Sequence, residues 1–233
     1  MLSRNIQMLQ DVAIGLDDLK NEVVFVGVAV AELYASNPEL SEIRPTLDVD
    51  CVIELSSRTA HAKLEDNLRA KGFKNDNSKG APICRWVYKN ILVDIMPSDS
   101  DVLGFTNRWY DEDIENKIAQ SLPNGTEVFI FSATYYLAAK FEAHKGRGGD
   151  DLRQSHDFED IIYILENCSE LIVDILNSSQ TVQSYLKNEC TNLLMNPNLT
   201  EGIESALPYV SEEGATEIIL GLFKQIENIN TGG

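Results

Sequence analysis

The sequence predicts an α+β protein, with a mixed sheet and flanking helices first and a helical region after it. Up to about residue 131, short β-branched and aromatic runs alternate with helical patterns, whereas later residues show mainly helical periodicity. The 233 residues, 43% of them hydrophobic, suffice for one large domain or two small ones. We therefore expect an α/β domain over residues 1–131 and a helical domain over residues 132–233.

The elements of the first region follow from local patterns. An amphipathic helix is expected for "NIQMLQDVAIGLDDL", and a buried strand for "EVVFVGVAV", which stops at Gly27 and runs into the helix "AVAELYAS". The strand "DVDCVIEL" and the helix "RTAHAKLEDNLRAKGF", which ends at Gly72, come next. Two hairpins follow, "ICRWVYKN" with "ILVDIMP", turning at residues 89–90, and "KIAQSLPNGTEVFIF", turning at residues 124–125.

The second region reads as helices joined by one polar segment. "ATYYLAAKFEAHKG" predicts a strong helix, and the glycine-rich "GRGGDDLRQS" predicts a mobile loop. "HDFEDIIYILEN" predicts a second helix, and three weaker helical patterns extend to the C-terminus.

Charge and composition exclude some classes of protein. The chain carries 37 acidic and 19 basic residues, a net charge of −18, which disfavours casual binding to nucleic acid or to an anionic membrane. An RNA partner would need a local basic patch or bridging metal ions. No apolar run is long enough to cross a bilayer, and residues 1–20 lack the continuous apolar core of a signal peptide. We therefore expect a cytoplasmic protein with no membrane partner.

Two acidic residues lie at the start of a predicted strand, in "RPTLDVDCVIEL". Because alternate side chains of a strand point the same way, Asp48 and Asp50 share one face and Val49 points to the other. Two carboxylates held so close repel each other unless a proton or a cation lies between them, and Mg²⁺ prefers such hard oxygen ligands. The alternative is that both acids are simply solvated at an exposed strand end.

A third acid, Asp94, lies in the middle of the apolar strand "ILVDIMP". A lone buried carboxylate is costly and usually has a partner or a task. If this strand lies next to the first, Asp94 completes a three-carboxylate cluster that suits one or two metal ions and phosphoryl or nucleotidyl transfer. The glycine turn at Gly27 would then offer a helix N-terminus to a phosphate. The alternative is a salt bridge from Asp94 to Arg85 or Lys89 across the hairpin.

The order of these parts resembles the nucleotidyltransferase superfamily of the DNA polymerase β type. "VFVGVAVAELY", "RPTLDVDCVIEL" and "ILVDIM" match its glycine turn opening a helix, its acid-x-acid strand and its later strand with a third acid. "ATYYLAAKFEAHKGRGGDDLRQSHDFEDIIYIL" is similar to the lysine and Asp-x-x-Asp helices of the AbiEii-type branch, which includes toxins of bacterial toxin–antitoxin and phage-defence systems. The resemblance covers approximately residues 20–166.

The resemblance implies a nucleotidyltransferase mixed sheet, followed by a helical region that contributes to the active-site cleft. Asp48, Asp50 and Asp94 would be catalytic residues and metal ligands. Asp48 and Asp50 would bind Mg²⁺ bridging the triphosphate of an incoming nucleotide, and Asp94 would help to hold a second Mg²⁺ and promote deprotonation of an attacking hydroxyl. The attack on the α-phosphorus of the NTP would expel pyrophosphate.

The resemblance also implies nucleotide-binding residues. Lys140 would be catalytic and place a positive charge on the phosphates; because "YYLAAKFEA" is apolar around it, its ammonium needs an anionic partner. Gly27 and Val28 form the glycine turn, where the family usually has a second small residue in place of Val28, whose β-branched side chain crowds the approach of a phosphate. Arg44 and Arg147 are candidate phosphate or substrate contacts, or ordinary surface arginines.

The helix that begins near residue 156 carries the acidic pair of this branch. Asp157 and Asp160 would contact the nucleotide. An acid followed by another three residues later, at a helix start, also fits an N-terminal cap, and both roles can hold at once. His144 and His156 are either hydrogen-bonding residues near the site or structural and exposed ones.

Three functions remain open from the sequence. The first is a metal-dependent nucleotidyltransferase that moves NMP from an NTP to RNA such as tRNA, to protein or to a small molecule; the AbiEii-type likeness would make it a toxin, with a cognate antitoxin as partner. The second is a non-catalytic nucleotidyltransferase-like binding or regulatory protein. The third is an adenylyltransferase that modifies small molecules such as antibiotics, whose cationic members suit the acidic net charge.

Overall fold

A computed structural model describes residues 2–55, 57–99, 106–148, 151–209 and 211–230. The chain divides into two compact units, the first comprising Met1–Leu33 and Ile43–Ser132, and the second Tyr34–Glu42 and Ala133–Gly233. The sequence placed residues 34–42 in the first domain, whereas the structure groups them with the second unit. There the backbone N–H of Ser36 donates to the carbonyl of Asn167 at 2.9 Å.

A mixed sheet forms the centre of the first unit. Its strands are β1 Val23–Val26, β2 Asp48–Ile53, β3 Lys74–Asn75, β4 Arg85–Tyr88, β5 Ile91–Pro97, β6 Ile118–Ser121 and β7 Glu127–Ile130. Among the described residues, these seven strands lie in the order β3-β4-β5-β2-β1-β7-β6. β2 is parallel to β5 and β1 is parallel to β7, whereas the other neighbours are antiparallel. The mixed sheet and its helices confirm the predicted α+β class.

The first unit also contains helices. They are α1 Arg4–Leu16, α2 Val28–Ala31, α3 Arg58–Ala70 and α4 Tyr110–Glu115. Ser3 caps α1 by accepting a hydrogen bond from the N–H of Ile6 at 3.1 Å. α2 has only 4 residues, fewer than predicted, because the chain continues as a 3-10 turn over Glu32–Tyr34. Neither α4 nor the short strand β3 was predicted from the sequence.

Both predicted hairpins are present. In the first, Lys89 and Asn90 have φ of 48° and 65°, as a two-residue turn between twisted strands requires, and this turn sets Arg85 opposite Asp94. In the second, Gly125 has a φ of 82°, which glycine adopts without steric cost. The turn residues therefore determine the registers of β4 with β5 and of β6 with β7.

The second unit is helical. Its helices are α5 Ala133–Arg147, α6 His156–Asn167, α7 Leu171–Leu176, α8 Gln180–Leu194, α9 Leu199–Ala206 and α10 Ala215–Glu227. After α6, four helices lie in the described residues rather than the three expected, because Ser179 caps a new helix by accepting from Val182 N–H. Part of the predicted mobile loop lies outside the described residues, and its residues 152–154 form a 3-10 turn. Within the described ranges, no helix combines the length and the apolar character needed to span a membrane.

Candidate functional site

The three acids of the first unit lie together on two neighbouring strands. Asp50 of β2 lies directly opposite Asp94 of β5 in the parallel pair. Asp48 is two residues before Asp50 and therefore on the same face of β2. One carboxylate oxygen from each of the three residues lies within 4.8 Å of the others. We call Asp48, Asp50 and Asp94 the acidic triad.

The acidic triad is partly shielded from water. Asp94 is 7% exposed, and Asp48 and Asp50 are half-buried. On the other face of β2, Val49 and Cys51 are fully buried in the core, as the strand alternation predicted. Asp48 is not simply solvated, as the alternative interpretation of Asp48 and Asp50 proposed, because it accepts hydrogen bonds from Thr46 and Arg85. Asp94 forms the salt bridge to Arg85 that was the alternative for that residue.

The chain segment that leads into β2 is held by α1. The buried side chain of Asn5 donates to the carbonyl of Arg44 at 3.1 Å and accepts from the N–H of Thr46 at 3.1 Å. The hydroxyl of Thr46 donates to Oδ1 of Asp48 at 2.6 Å. One oxygen of Asp48 is thus oriented through Thr46, and the half-buried Arg44 is placed by its backbone at the entrance to β2.

Gly27 lies where β1 ends beside Asp50. Its φ is 72°, and a Cβ added there would lie 2.1 Å from Oδ2 of Asp50. A glycine is therefore needed at this position for the carboxylate to lie against the backbone. The next residue, Val28, begins α2 and is 5% exposed, so its side chain is buried in the interior.

Arg85 pairs with two members of the acidic triad. It donates from Nε to Oδ1 of Asp94 at 2.8 Å and from Nη2 to Oδ2 of Asp94 at 2.6 Å. Nη2 also donates to Oδ2 of Asp48 at 3.1 Å. The hydrogen bonds with Asp94 raise the pKa of Arg85 further above its usual value, so the guanidinium stays charged. The other candidate partner of Asp94, Lys89, pairs instead with Asp11 at 3.0 Å.

Sequence reasoning named Arg85 only as a salt-bridge alternative and missed Thr46 and Asn5. The two-residue turn at residues 89–90 pairs residue 88 with 91, and hence Arg85 with Asp94, so Arg85 could have been placed from the sequence. Thr46 and Asn5 have no comparable local signal, because their hydrogen bonds depend on where α1 packs.

A second group of predicted residues lies in the second unit. Lys140 of α5 donates to Oδ2 of Asp160 at 2.6 Å, and its Nζ lies 3.7 Å from Oδ1 of Asp157. All three residues are buried. The anionic partner that the apolar surroundings of Lys140 required is therefore Asp160, on α6.

The N-terminal cap of α6 is Ser155. Its side chain accepts from the N–H of Phe158 at 3.2 Å, so the interpretation of Asp157 and Asp160 as caps is wrong. Asp157 instead accepts two hydrogen bonds from Arg147, at 2.8 and 2.9 Å. Its place in the first turn of the helix still favours a negative charge.

The two histidines of this region differ in exposure. Nδ1 of His144 lies 2.7 Å from Oγ of Ser155, and burial lowers the pKa of His144. His156 is exposed beside Glu159 at 3.3 Å. His144 therefore has a structural role, and His156 is an exposed surface residue.

The donor set of the acidic triad fits a divalent metal ion. It consists of carboxylate oxygens, the hard ligands that Mg²⁺ prefers. Oxygens on opposite sides of a bound Mg²⁺ are about 4.2 Å apart. One carboxylate oxygen from each residue of the acidic triad lies within 4.8 Å of the others, close to that spacing.

Comparison with solved structures identifies a shared fold. An antigenic nucleotidyltransferase-like protein from Paracoccidioides brasiliensis aligns with 88% of this chain and 94% of its own, at 21% identity and a TM-score of 0.53. This chain has a nucleotidyltransferase-like fold. JHP933 from Helicobacter pylori aligns with 97% of this chain and 94% of its own, at 11% identity and a TM-score of 0.49. No protein-family profile matches the chain, and no curated protein matches it in sequence.

Proposed function

We propose that this chain is a metal-dependent nucleotidyltransferase that moves NMP from an NTP to an acceptor hydroxyl. The observation that carries the proposal is the acidic triad, in which Asp50 and Asp94 lie opposite each other on parallel strands with Asp48 on the same face. The nucleotidyltransferase-like fold supports it.

Each residue of the acidic triad would have its own role in the reaction. Asp48 and Asp50 would hold Mg²⁺, with Asp94 completing the ligand set. When bound, Mg²⁺ would stabilise the charge on the triphosphate and on the entering and leaving oxygens. Asp94 would help to hold a second Mg²⁺ and promote deprotonation of the attacking hydroxyl. The hydroxyl of Thr46 already orients one oxygen of Asp48, which would be a metal ligand.

The finer parts of the proposal rest on the sequence resemblance. Lys140, Asp157 and Asp160 would contact the nucleotide; since Lys140 already pairs with Asp160, a phosphate would have to share its charge. The AbiEii-type assignment, the toxin role, the RNA acceptor and the cognate antitoxin belong to the same resemblance. Arg44 and Arg147 remain candidate substrate contacts.

A non-catalytic nucleotidyltransferase-like binding protein is the second candidate function. The observation in its favour is Arg85, which pairs with Asp48 and Asp94 and so partly neutralises the triad from within the chain. Such a protein would keep the fold without turnover.

The test compares wild-type protein with the Asp50→Asn variant, incubated with each α-labelled NTP, Mg²⁺ and total RNA. We expect the wild type to transfer label to RNA or to itself, and Asp50→Asn to transfer none, because the amide keeps the shape but loses the charge that binds metal. A parallel arm replaces RNA with aminoglycosides, to detect a small-molecule acceptor. Circular dichroism checks that the variant is folded.

The matched control is Asp66→Asn, which changes an exposed acid of α3 paired with Arg69 and should transfer at the wild-type rate. Wild-type transfer by Asp50→Asn would refute the catalytic assignment. A wild-type protein with neither turnover nor metal-dependent nucleotide binding would favour the second candidate.

A further inference from the structure

Arg85 lies where the acidic triad needs a cation. It contacts both oxygens of Asp94 and one oxygen of Asp48. The side chains of Arg85, Asp94 and Asp48 are 20%, 10% and 29% exposed, so water screens these contacts less than it would at an open surface. Arg85 therefore opposes the negative charge of the triad with one fixed positive charge.

We propose that Arg85 is an internal counter-cation that competes with the divalent metal for Asp48 and Asp94, and so sets the metal concentration at which the triad fills. The inference rests on the metal site proposed above. Oδ1 of Asp48 accepts from Thr46 and Oδ2 accepts from Arg85, so a metal that binds Asp48 must displace or share one of these donors. A carboxylate with both oxygens engaged offers fewer lone pairs to a metal.

The same geometry gives Arg85 a second effect. Without metal, the guanidinium holds the ligand oxygens together against their mutual repulsion. Loss of Arg85 should therefore strengthen metal binding and weaken the metal-free fold. A residue that only positioned the ligands would behave differently, because its loss would weaken both metal binding and the metal-free fold.

The experiment titrates the full chain with Mn²⁺ in the absence of nucleotide, using isothermal titration calorimetry and the electron paramagnetic resonance signal of free Mn²⁺. The proteins are the wild type, Arg85→Met, Arg85→Lys, Asp50→Asn and Arg69→Met. Arg69 is the matched control, since it lies in the same unit but pairs with Glu65 and Asp66 on α3. We expect Arg85→Met to bind Mn²⁺ about tenfold more tightly or better, Arg85→Lys to be intermediate, and Arg69→Met to match the wild type.

Thermal unfolding gives an independent readout. Without metal, Arg85→Met should unfold at a lower temperature than the wild type, and Mn²⁺ should reduce this difference in unfolding temperature.

The inference is overturned if Arg85→Met binds Mn²⁺ with an affinity equal to or lower than that of the wild type. The metal site itself still stands in that case if the wild type binds Mn²⁺ and Asp50→Asn does not. If no protein binds Mn²⁺ without nucleotide, the inference fails, and the transfer assay with NTP decides the proposed function separately. If Arg85→Met does not fold, Arg85→Lys decides, since tighter binding supports the inference and equal or weaker binding overturns it.

Discussion

The buried acid Asp113 makes the stability of the fold depend on pH. It is 0% exposed on α4, and neither of its carboxylate oxygens has a hydrogen-bond partner in the described part of the chain. Burial raises the pKa of Asp113 well above its usual value, and the charge of Glu112 adds to the rise. The folded protein thus holds a proton that the unfolded chain releases above a pKa of 3.8.

We expect Asp113→Asn to stabilise the protein at neutral pH and to change little at acidic pH. As the pH rises above 3.8, the unfolded wild-type chain loses a proton that the folded state retains, so the wild type loses stability and the neutral amide does not. Thermal unfolding of both proteins from about pH 4 to about pH 8 measures the difference. Glu115→Gln, at an exposed position of the same helix, is the control. A difference that does not grow with pH would contradict the prediction.

At the scale of elements, a buried ion cluster joins α5 to α6. Lys140 and Asp160 are 11% and 1% exposed in their side chains, and their atoms lie 2.6 Å apart. Removing one partner of a buried pair leaves an uncompensated charge, whereas replacing both with apolar residues is often neutral. The cluster therefore makes the packing of these helices depend on two residues that the sequence resemblance assigns to nucleotide contact.

We expect Lys140→Met to lower the free energy of unfolding by about 3–5 kcal/mol, because the buried Asp160 would lose the ammonium of Lys140. The double variant Lys140→Met with Asp160→Leu should recover much of this loss. Urea unfolding measures both. Lys224→Met, at an exposed position of α10 in the same unit, is the control and should change stability little. A single variant as stable as the wild type would show that the pair does not stabilise the fold.

At the scale of the whole molecule, the net charge of −18 opposes compaction. Most of the acids are surface groups, whose repulsion falls as salt screens it. If the acceptor is RNA, as proposed, it would meet the same repulsion, and its binding would depend on local cations or on metal ions rather than on the overall charge.

We expect added KCl to raise the thermal unfolding temperature, because screening weakens repulsion that the unfolded chain relieves by expanding. Differential scanning calorimetry between about 20 and 200 mM KCl measures the change. NaCl at the same ionic strength is the control and should act alike, since screening depends on ionic strength. An unchanged or lower unfolding temperature would show that local ion pairs outweigh the net charge.

The parts of the fold that could be predicted are those with local causes. The hairpin turn at residues 89–90 and the helix end at Gly72 follow from residue types that favour these conformations. The cap of α6 was assigned wrongly, because Ser155 and Asp157 both lie at the helix start and only the backbone path decides which side chain reaches a free N–H. The grouping of residues 34–42 with the second unit had no local signal.

The sequence by itself determined that Asp48 and Asp50 share a face, because side-chain alternation is a property of any strand, and its turn residues determined that Arg85 faces Asp94. Only the tertiary structure decided that β5 lies beside β2 with Asp94 opposite Asp50, and that α1 holds Thr46 against Asp48. The physical reason is that the order of strands in a sheet and the docking of a helix depend on contacts between residues far apart in the chain, which no local pattern encodes.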